Sequence, residues 1–293
     1  MRINNIISGL FVVVILFSCT ENEETLKLSV KNSLDYERSF ETIALTKDFL
    51  KVDSLTNLGV KDLATAELLV TQLVDNDGDG IMDELLFQPQ IGAKSEKQFE
   101  IVPITEADRP KSEAYCYSRF VPERTDDYTW ENNRVAFRMY GPTAQKMVED
   151  SVPGGTLSSG VDAWLKKVDH PIINNWYIKE TETEGTYHED TGEGLDNFHV
   201  GISRGVGGVA IKKDSAYYFS KNYIEWRTIT TGPIRTSFYL DIADWDAAGN
   251  RVKESKIISL DYGSNLTKFE VSLEGSDEIS AGLTLHEKDG LVS

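Results

Sequence analysis

From Leu26 onward the chain breaks into short runs rich in apolar, β-branched and aromatic residues, separated by turns of glycine, proline, asparagine and aspartate. Runs this short bury enough apolar surface only by pairing into sheets, so this spacing constrains the fold more than any other feature. The run LKLSVKN at Leu26 alternates, and Phe40 to Leu45 is expected to pair with it. Further strands are predicted at Glu67–Val74, Leu85–Gln88, Gln98–Pro103 and Ala114–Val121, while Leu58–Leu63 is ambiguous. After residue 208 they return at Gly208–Lys212, Tyr223–Thr231, Ile234–Ile242, Arg251–Leu260, Lys268–Leu273 and Ala281–His286. Short helices are expected at Thr143–Glu149 and within Ser158–Asn175, the second ended before Pro171. No long-period repeat is present. The expectation is a mainly β chain, a large antiparallel β-sandwich with few short helices.

Residues 1–18 read as an export signal: Arg2 is the basic start, and Ile6–Phe17 is an apolar run too short to span a bilayer comfortably. Leu16-Phe17-Ser18-Cys19 resembles a bacterial lipobox, which implies cleavage before Cys19 and lipidation of its thiol. The acidic segment through residue 25 then serves as a flexible tether, and residues 26–293 form the β-sandwich domain. The expected location is the outer membrane, on its cell-surface or periplasmic face, with the lipid as the sole membrane contact. Cys116 is left without an internal partner and reads as a buried, inert thiol. The net charge of −18 repels nucleic-acid phosphates, which excludes that class of partner. An anionic substrate would need local cations.

The strand at Glu67–Val74 runs into Asp75-Asn76-Asp77-Gly78-Asp79-Gly80-Ile81-Met82-Asp83-Glu84. Asp75, Asp77 and Asp79 take positions 1, 3 and 5 of an EF-hand-type loop, with the Ile81 carbonyl and Asp83 at positions 7 and 9. Position 12 is Leu86 rather than the bidentate glutamate, so the EF-hand is incomplete. These carboxylates repel one another unless a hard cation lies between them. A structural Ca²⁺ is the expectation, against an exposed acidic turn. No organic cofactor is expected.

In WENNRVAFRMYGP (130–142), Arg134, Ala136, Arg138 and Tyr140 fall on one face of a predicted strand, opposite Val135, Phe137 and Met139. Two guanidiniums and a phenol on one face read as an anion-facing surface; pairing with nearby carboxylates is the alternative. Trp164 and Trp176 are either sugar platforms or core residues. The segment YHEDTGEGLDNFHVGISRGVGG (187–208) packs His188, His199, Arg204 and six glycines into one stretch. It is poor at filling a core and suited to shaping a pocket. No P-loop, GxSxG, HExxH or CxxC motif occurs.

These two segments, with SSGVDAWLKKVDHPIINNWY (158–177) and DNDGDGIMDELLFQ upstream, resemble a family of exported Bacteroidetes proteins filed as a domain of unknown function. The family sits in polysaccharide-utilisation systems. At least one branch is an oligosaccharide dehydratase that removes water from the non-reducing-end uronic acid of ulvan fragments, leaving a 4,5-unsaturated residue. The resemblance implies a mutarotase-like supersandwich and an anionic uronic-acid oligosaccharide as substrate. Members of the family continue past Leu291-Val292-Ser293, so the chain is expected to be a short or incomplete member.

Elimination across C4 and C5 needs a base for the C5 proton, an acid for the departing 4-hydroxyl, and donors that neutralise the carboxylate. His188 is the candidate base or acid, because imidazole titrates near neutrality. Tyr140 or Tyr187 is its partner if an arginine lowers the phenol pKa. Arg134, Arg138, Lys166, Trp176, His199 and Arg204 are candidate substrate-binding residues. On this reading Arg138, Arg204 and His188 share one cavity. The alternatives are a glycoside hydrolase or epimerase using Glu189, Asp190 and Glu193, a non-catalytic glycan-binding lipoprotein, and a metal held by His188, Glu189, Asp190 and His199.

Overall fold

The computed structural model describes residues 26–201 and 203–283. Cys19, the tether before Leu26 and the end of the last predicted strand lie outside the described residues. The first part of the chain forms β1 (Leu26–Lys31), β2 (Ile43–Thr46), the single-turn α1 (Lys47–Leu50), β3 (Leu58–Asp62), β4 (Thr71–Val74), β5 (Glu84–Phe87) and β6 (Glu96–Pro103). They make two antiparallel three-stranded sheets, ordered β1-β6-β3 and β2-β5-β4. Leu28, Val60, Phe99 and Ile101 of the first meet Leu45, Leu85 and Phe87 of the second in one core. Each such side chain contributes about 1.5–3 kcal/mol on burial. The expected pairing of the second run with the first does not occur. Ile43 lies opposite Phe87 of β5 instead, which puts Leu45 on the shared core.

Next come β7 (Tyr117–Val121), β8 (Asp127–Glu131), β9 (Ala136–Met139), α2 (Pro142–Glu149), β10 (Asp162–Lys166), α3 (Ile173–Glu182) and β11 (Gly194–Leu195). Their strands form a five-stranded antiparallel sheet, β11-β10-β9-β8-β7. The rest are β12 (Val206–Lys213), β13 (Ala216–Phe219), β14 (Tyr223–Thr230), β15 (Arg235–Ala247), β16 (Asn250–Asp261), β17 (Lys268–Glu274) and β18 (Ser280–Leu283). They build a four-stranded sheet, β14-β15-β16-β17, and a three-stranded one, β13-β12-β18. Tyr128, Trp130, Phe137 and Met139 of the five-stranded sheet pack on Phe238, Leu240, Ile242, Ile258 and Leu260 of the four-stranded one. The fold is therefore mainly β, with antiparallel sheets face to face and, among the described residues, three short α-helices.

Period-two alternation in β8 puts Tyr128 and Trp130 toward that core and Asp127, Thr129 and Glu131 on the opposite face, yet all five residues are buried. The polar face is covered by α3, its N-cap and the loop that follows it, through Ile172, Ile173, Trp176, Tyr177 and Tyr187, together with Trp164 of β10. Two expectations are corrected here. Residues 130–140 are two strands rather than one: Asn132 Oδ1 accepts from the N–H of Arg134 and Val135 and closes a hairpin between β8 and β9. The helix expected before Pro171 is the strand β10, and α3 starts after that proline, where a missing N–H costs nothing. The Glu131 carboxylate accepts from the N–H of Ile172 and Ile173 and so satisfies the free donors at the start of α3. Among the described residues no helix is long and apolar enough to cross a membrane.

Candidate functional site

One guanidinium organises the covered face of the five-stranded sheet. Arg138 of β9 is 3% exposed. Its Nε and Nη2 donate to Asp162 Oδ2 at 3.0 and 2.6 Å, Nη2 also to Asp196 Oδ2 at 2.8 Å, and Nη1 to the Tyr187 hydroxyl at 2.8 Å. Asp127 Oδ2 lies 3.5 Å from Nη1 and accepts from Tyr177. The antiparallel register places Asp162 directly opposite Arg138. Every partner in this net is internal, so the alternative of carboxylate pairing is the one realised, and Arg138 faces no solvent-borne anion.

Three carboxylates around one guanidinium leave surplus negative charge in a dry place. Burial pushes Asp196 up to about 7, against the pull of Arg138, and the charge of Asp162 adds to the rise. Burial likewise raises Asp127 to about 6, with Arg138 and Arg124 opposing. The same balance corrects the expectation for the phenols. Burial raises Tyr187 in spite of Arg138 and Arg124, and raises Tyr140 in spite of Arg138. Both are neutral hydroxyls behind the surface.

His188 is the exposed end of this net, with 54% of its side chain open to solvent. Its Nδ1 lies 3.1 Å from the Asp196 backbone carbonyl and 3.5 Å from Asp196 Oδ2, and its ring meets the Tyr187 ring at 4.7 Å. A carbonyl oxygen only accepts, so Nδ1 carries the proton and Nε2 presents its lone pair. The loop is set by its backbone. The N–H of Asp196 donates to the Tyr187 carbonyl, and Gly194 of β11 pairs with Lys166 at φ 113°. A Cβ on Gly194 would stand 1.9 Å from the Leu165 carbonyl, so only glycine lets the loop dock on β10.

The remaining candidates are dispersed. Arg134 is exposed in the hairpin, with its guanidinium 5.4 Å from the Phe40 ring. Lys166 is buried, donating to Glu131 and to the Asn132 carbonyl at 2.9 and 2.7 Å. Trp176 is buried, stacked on Trp164 at 5.4 Å with its N–H on Glu193. Both tryptophans are core residues rather than sugar platforms. His199 is exposed, and its backbone carbonyl accepts from Ser203. Arg204 lies 4.4 Å over the Phe219 ring and lines a cavity of about 690 Å³ with Tyr217, Ile279 and Leu283. Neither Arg138 nor His188 lines that cavity, so the expected sharing by all three is not found. Asp190 is tied to Lys167, and Glu193 to His170 and Trp176, so two of the three carboxylates of a hydrolase reading are already engaged. The set His188, Glu189, Asp190 and His199 does not gather as a metal group among the described residues.

In the acidic loop, Asp75, Asp77 and Asp83 bring one carboxylate oxygen each to within 4.8 Å of one another; Asp79 is not part of that group. Asp75 accepts from the N–H of Gly78 and Gly80, and Asp79 from the N–H of Ile81. Calcium binds oxygens at roughly 2.3–2.6 Å, so oxygens at this spacing fit around one such ion.

Asp127, Asp162, Asp196 and Arg124 escape sequence reasoning. The alternation in DYTWE (127–131) was a usable signal, since it sets Asp127 and Glu131 on one face. Arg124 is half-buried. Its Nη1 donates to Thr125 Oγ1 at 2.9 Å, and Asp127 and the Tyr187 phenol act on its charge.

Fold and site together define an antiparallel β-sandwich that carries a solvent-facing imidazole backed by a buried carboxyl net. The chain belongs to the family described as a domain of unknown function, DUF4861, whose model matches residues 30–293. It is 57% identical over 280 residues to a protein from Formosa agariphila called uncharacterized protein P7, a match spanning 94% of this chain and 71% of that protein. No solved structure matches the chain.

Proposed function

We propose that the chain is a carbohydrate-active dehydratase, eliminating water from the non-reducing-end uronic acid of ulvan-type oligosaccharides. The observation that carries this reading is the fixed tautomer of His188: a bare Nε2 faces solvent while Nδ1–H is held by Asp196. Nε2 takes the C5 proton, and the C5–H electron pair forms the C4–C5 double bond as the C4–O bond breaks. The imidazolium, with the Asp196 carboxylate 3.5 Å away, then returns its proton to the departing hydroxyl, which leaves as water. Buried Tyr140 and Tyr187 hold the net in place behind it. Incubation with uronic oligosaccharides tests this: the product is lighter by one water and absorbs in the ultraviolet through a double bond conjugated to the carboxylate. Shortened oligomers without that absorbance would mean hydrolysis instead.

A second reading, a glycan-binding lipoprotein without turnover, is favoured by the aromatic and cationic cavity of Arg204, Tyr217 and Phe219. Affinity without product formation would select it. We also propose that Asp75, Asp77 and Asp83 hold a structural Ca²⁺, and that the chain is anchored at the outer membrane through a lipid on Cys19. Fatty-acid labelling that persists in Cys19→Ser would refute the anchor.

A further inference from the structure

We propose that Arg124 is the residue that binds the substrate carboxylate, an inference that rests on the uronate reading above. Elimination needs a cation at that carboxylate, and of the cations expected there Arg134 sits over the Phe40 ring in the β8–β9 hairpin and Arg204 lines a separate cavity, while the others are consumed by carboxylates. Arg138 is consumed by Asp127, Asp162, Asp196 and Tyr187; Lys166 by Glu131; Lys167 by Asp190; Arg119 by Glu123. Among the described residues Arg124 forms no ion pair within 4.0 Å, and buried Asp127 is the main charge acting on it. It also belongs electrostatically to the His188 site: the Tyr187 phenol and Asp127 both act on its guanidinium, and the Tyr187 ring meets the His188 ring at 4.7 Å.

The backbone beneath Arg124 is strained and clamped. Thr125 and Asp126 have φ of 48° and 62°, left-handed values that a β-branched residue rarely adopts. Such strain persists only where surrounding contacts over-determine it. Here the Tyr223 hydroxyl donates to the Asp126 carbonyl, Thr143 Oγ1 to the Asp126 carboxylate, and the Ala144 N–H to the Thr125 carbonyl. Gly141 completes the clamp: a Cβ there would stand 1.7 Å from the Asp126 carbonyl oxygen. The turn is thus held rigidly against the start of α2, and Thr125 Oγ1 fixes one nitrogen of the guanidinium. The remaining N–H groups of the planar fork suit a carboxylate, which takes two parallel hydrogen bonds from it.

The test uses the full chain and two probes, 4-nitrophenyl β-D-glucuronide and 4-nitrophenyl β-D-glucoside, which differ only in the carboxylate. Calorimetric titration of the wild type is expected to show at least a tenfold preference for the glucuronide. Arg124→Gln abolishes that preference and leaves glucoside affinity unchanged, and Arg124→Lys cuts it severalfold. A wild type without preference, or an Arg124→Gln protein that retains it, overturns the assignment. Should Arg124→Gln fail to fold, Arg124→Lys decides, and an undiminished preference there overturns it equally. A wild type that prefers the glucuronide yet forms no unsaturated product removes the dehydratase reading while the carboxylate site stands.

Discussion

Asp162 Oδ2 receives both Nε and Nη2 of Arg138, the residue directly opposite it on the neighbouring strand, at 3.0 and 2.6 Å. This cross-strand fork is the centre of the buried net. Its geometry ties β9 to β10 and, through Asp196 and Tyr187, ties both strands to the loop that carries His188.

Removing the guanidinium leaves three buried carboxylates without their main counter-charge. Arg138→Met is expected to cost about 3–5 kcal/mol at neutral pH, the range for breaking a buried pair from one side. The loss shrinks toward pH 5 as Asp127 and Asp196 take up protons. Urea unfolding at pH 5 and pH 7.5 measures both values. An equal loss at the two pH values would contradict the charge argument.

His188 sits at the opposite extreme. With 54% of its side chain exposed and one backbone carbonyl as its direct hydrogen-bond partner, it adds little to stability. His188→Ala is expected to abolish dehydration while moving the unfolding free energy by no more than about 0.5 kcal/mol. Mass spectrometry of the product and a denaturant melt together check this. A fully active His188→Ala protein removes the proposed mechanism.

Trp176 separates packing from recognition. It stacks on Trp164 and is buried, so Trp176→Ala should cost about 3–5 kcal/mol, as large-to-small core changes do. Residual folded protein should keep its glycan affinity. A stable Trp176→Ala protein with lost affinity would restore the sugar-platform reading.

These contrasts show what the sequence carried. Alternation in LKLSVK and in the strands after residue 208 was legible, because one buried face imposes period two. The covering of the second face of β8 was not legible. Asp127 and Glu131 look solvent-facing in DYTWE, and only α3 and the Tyr187 loop, distant in sequence, bury them. For the same reason Arg138 read as a ligand-facing cation: its partner Asp162 is 24 residues away and is identified by strand register alone. His188 was singled out as a loop residue, because glycines and polar residues around it marked a loop. Asp196, which orients it, carried no signal of its own.

The acidic loop gives a prediction independent of catalysis. A ligand that binds only the folded chain stabilises it by about 2.7 kcal/mol at a hundred times its dissociation constant. Calcium addition should therefore raise Tm, and chelation should lower it. Asp75→Ala/Asp77→Ala should abolish the calcium response and leave the His188 site intact, since β4 and β5 lie in the other sandwich. A Tm indifferent to calcium in the wild type would leave Asp75, Asp77 and Asp83 as a plain acidic turn.

The buried carboxyls also fix a pH dependence of stability, and its sign follows from proton counting. Asp196 is raised to about 7 and Asp127 to about 6, whereas an aspartate in the unfolded chain titrates near ~3.9. Between those limits the folded protein holds protons that the unfolded chain has released. Their contribution to stability is therefore complete below about pH 4 and is lost as pH rises through 6 and 7, at up to about 1.4 kcal/mol per pH unit for each group. Asp196→Asn mimics the protonated form and still offers Arg138 an acceptor. The variant should lose less stability than the wild type between pH 5 and pH 8, and the two curves should diverge most near pH 8. Parallel curves would mean that Asp196 is already ionised throughout that range, with Arg138 outweighing burial.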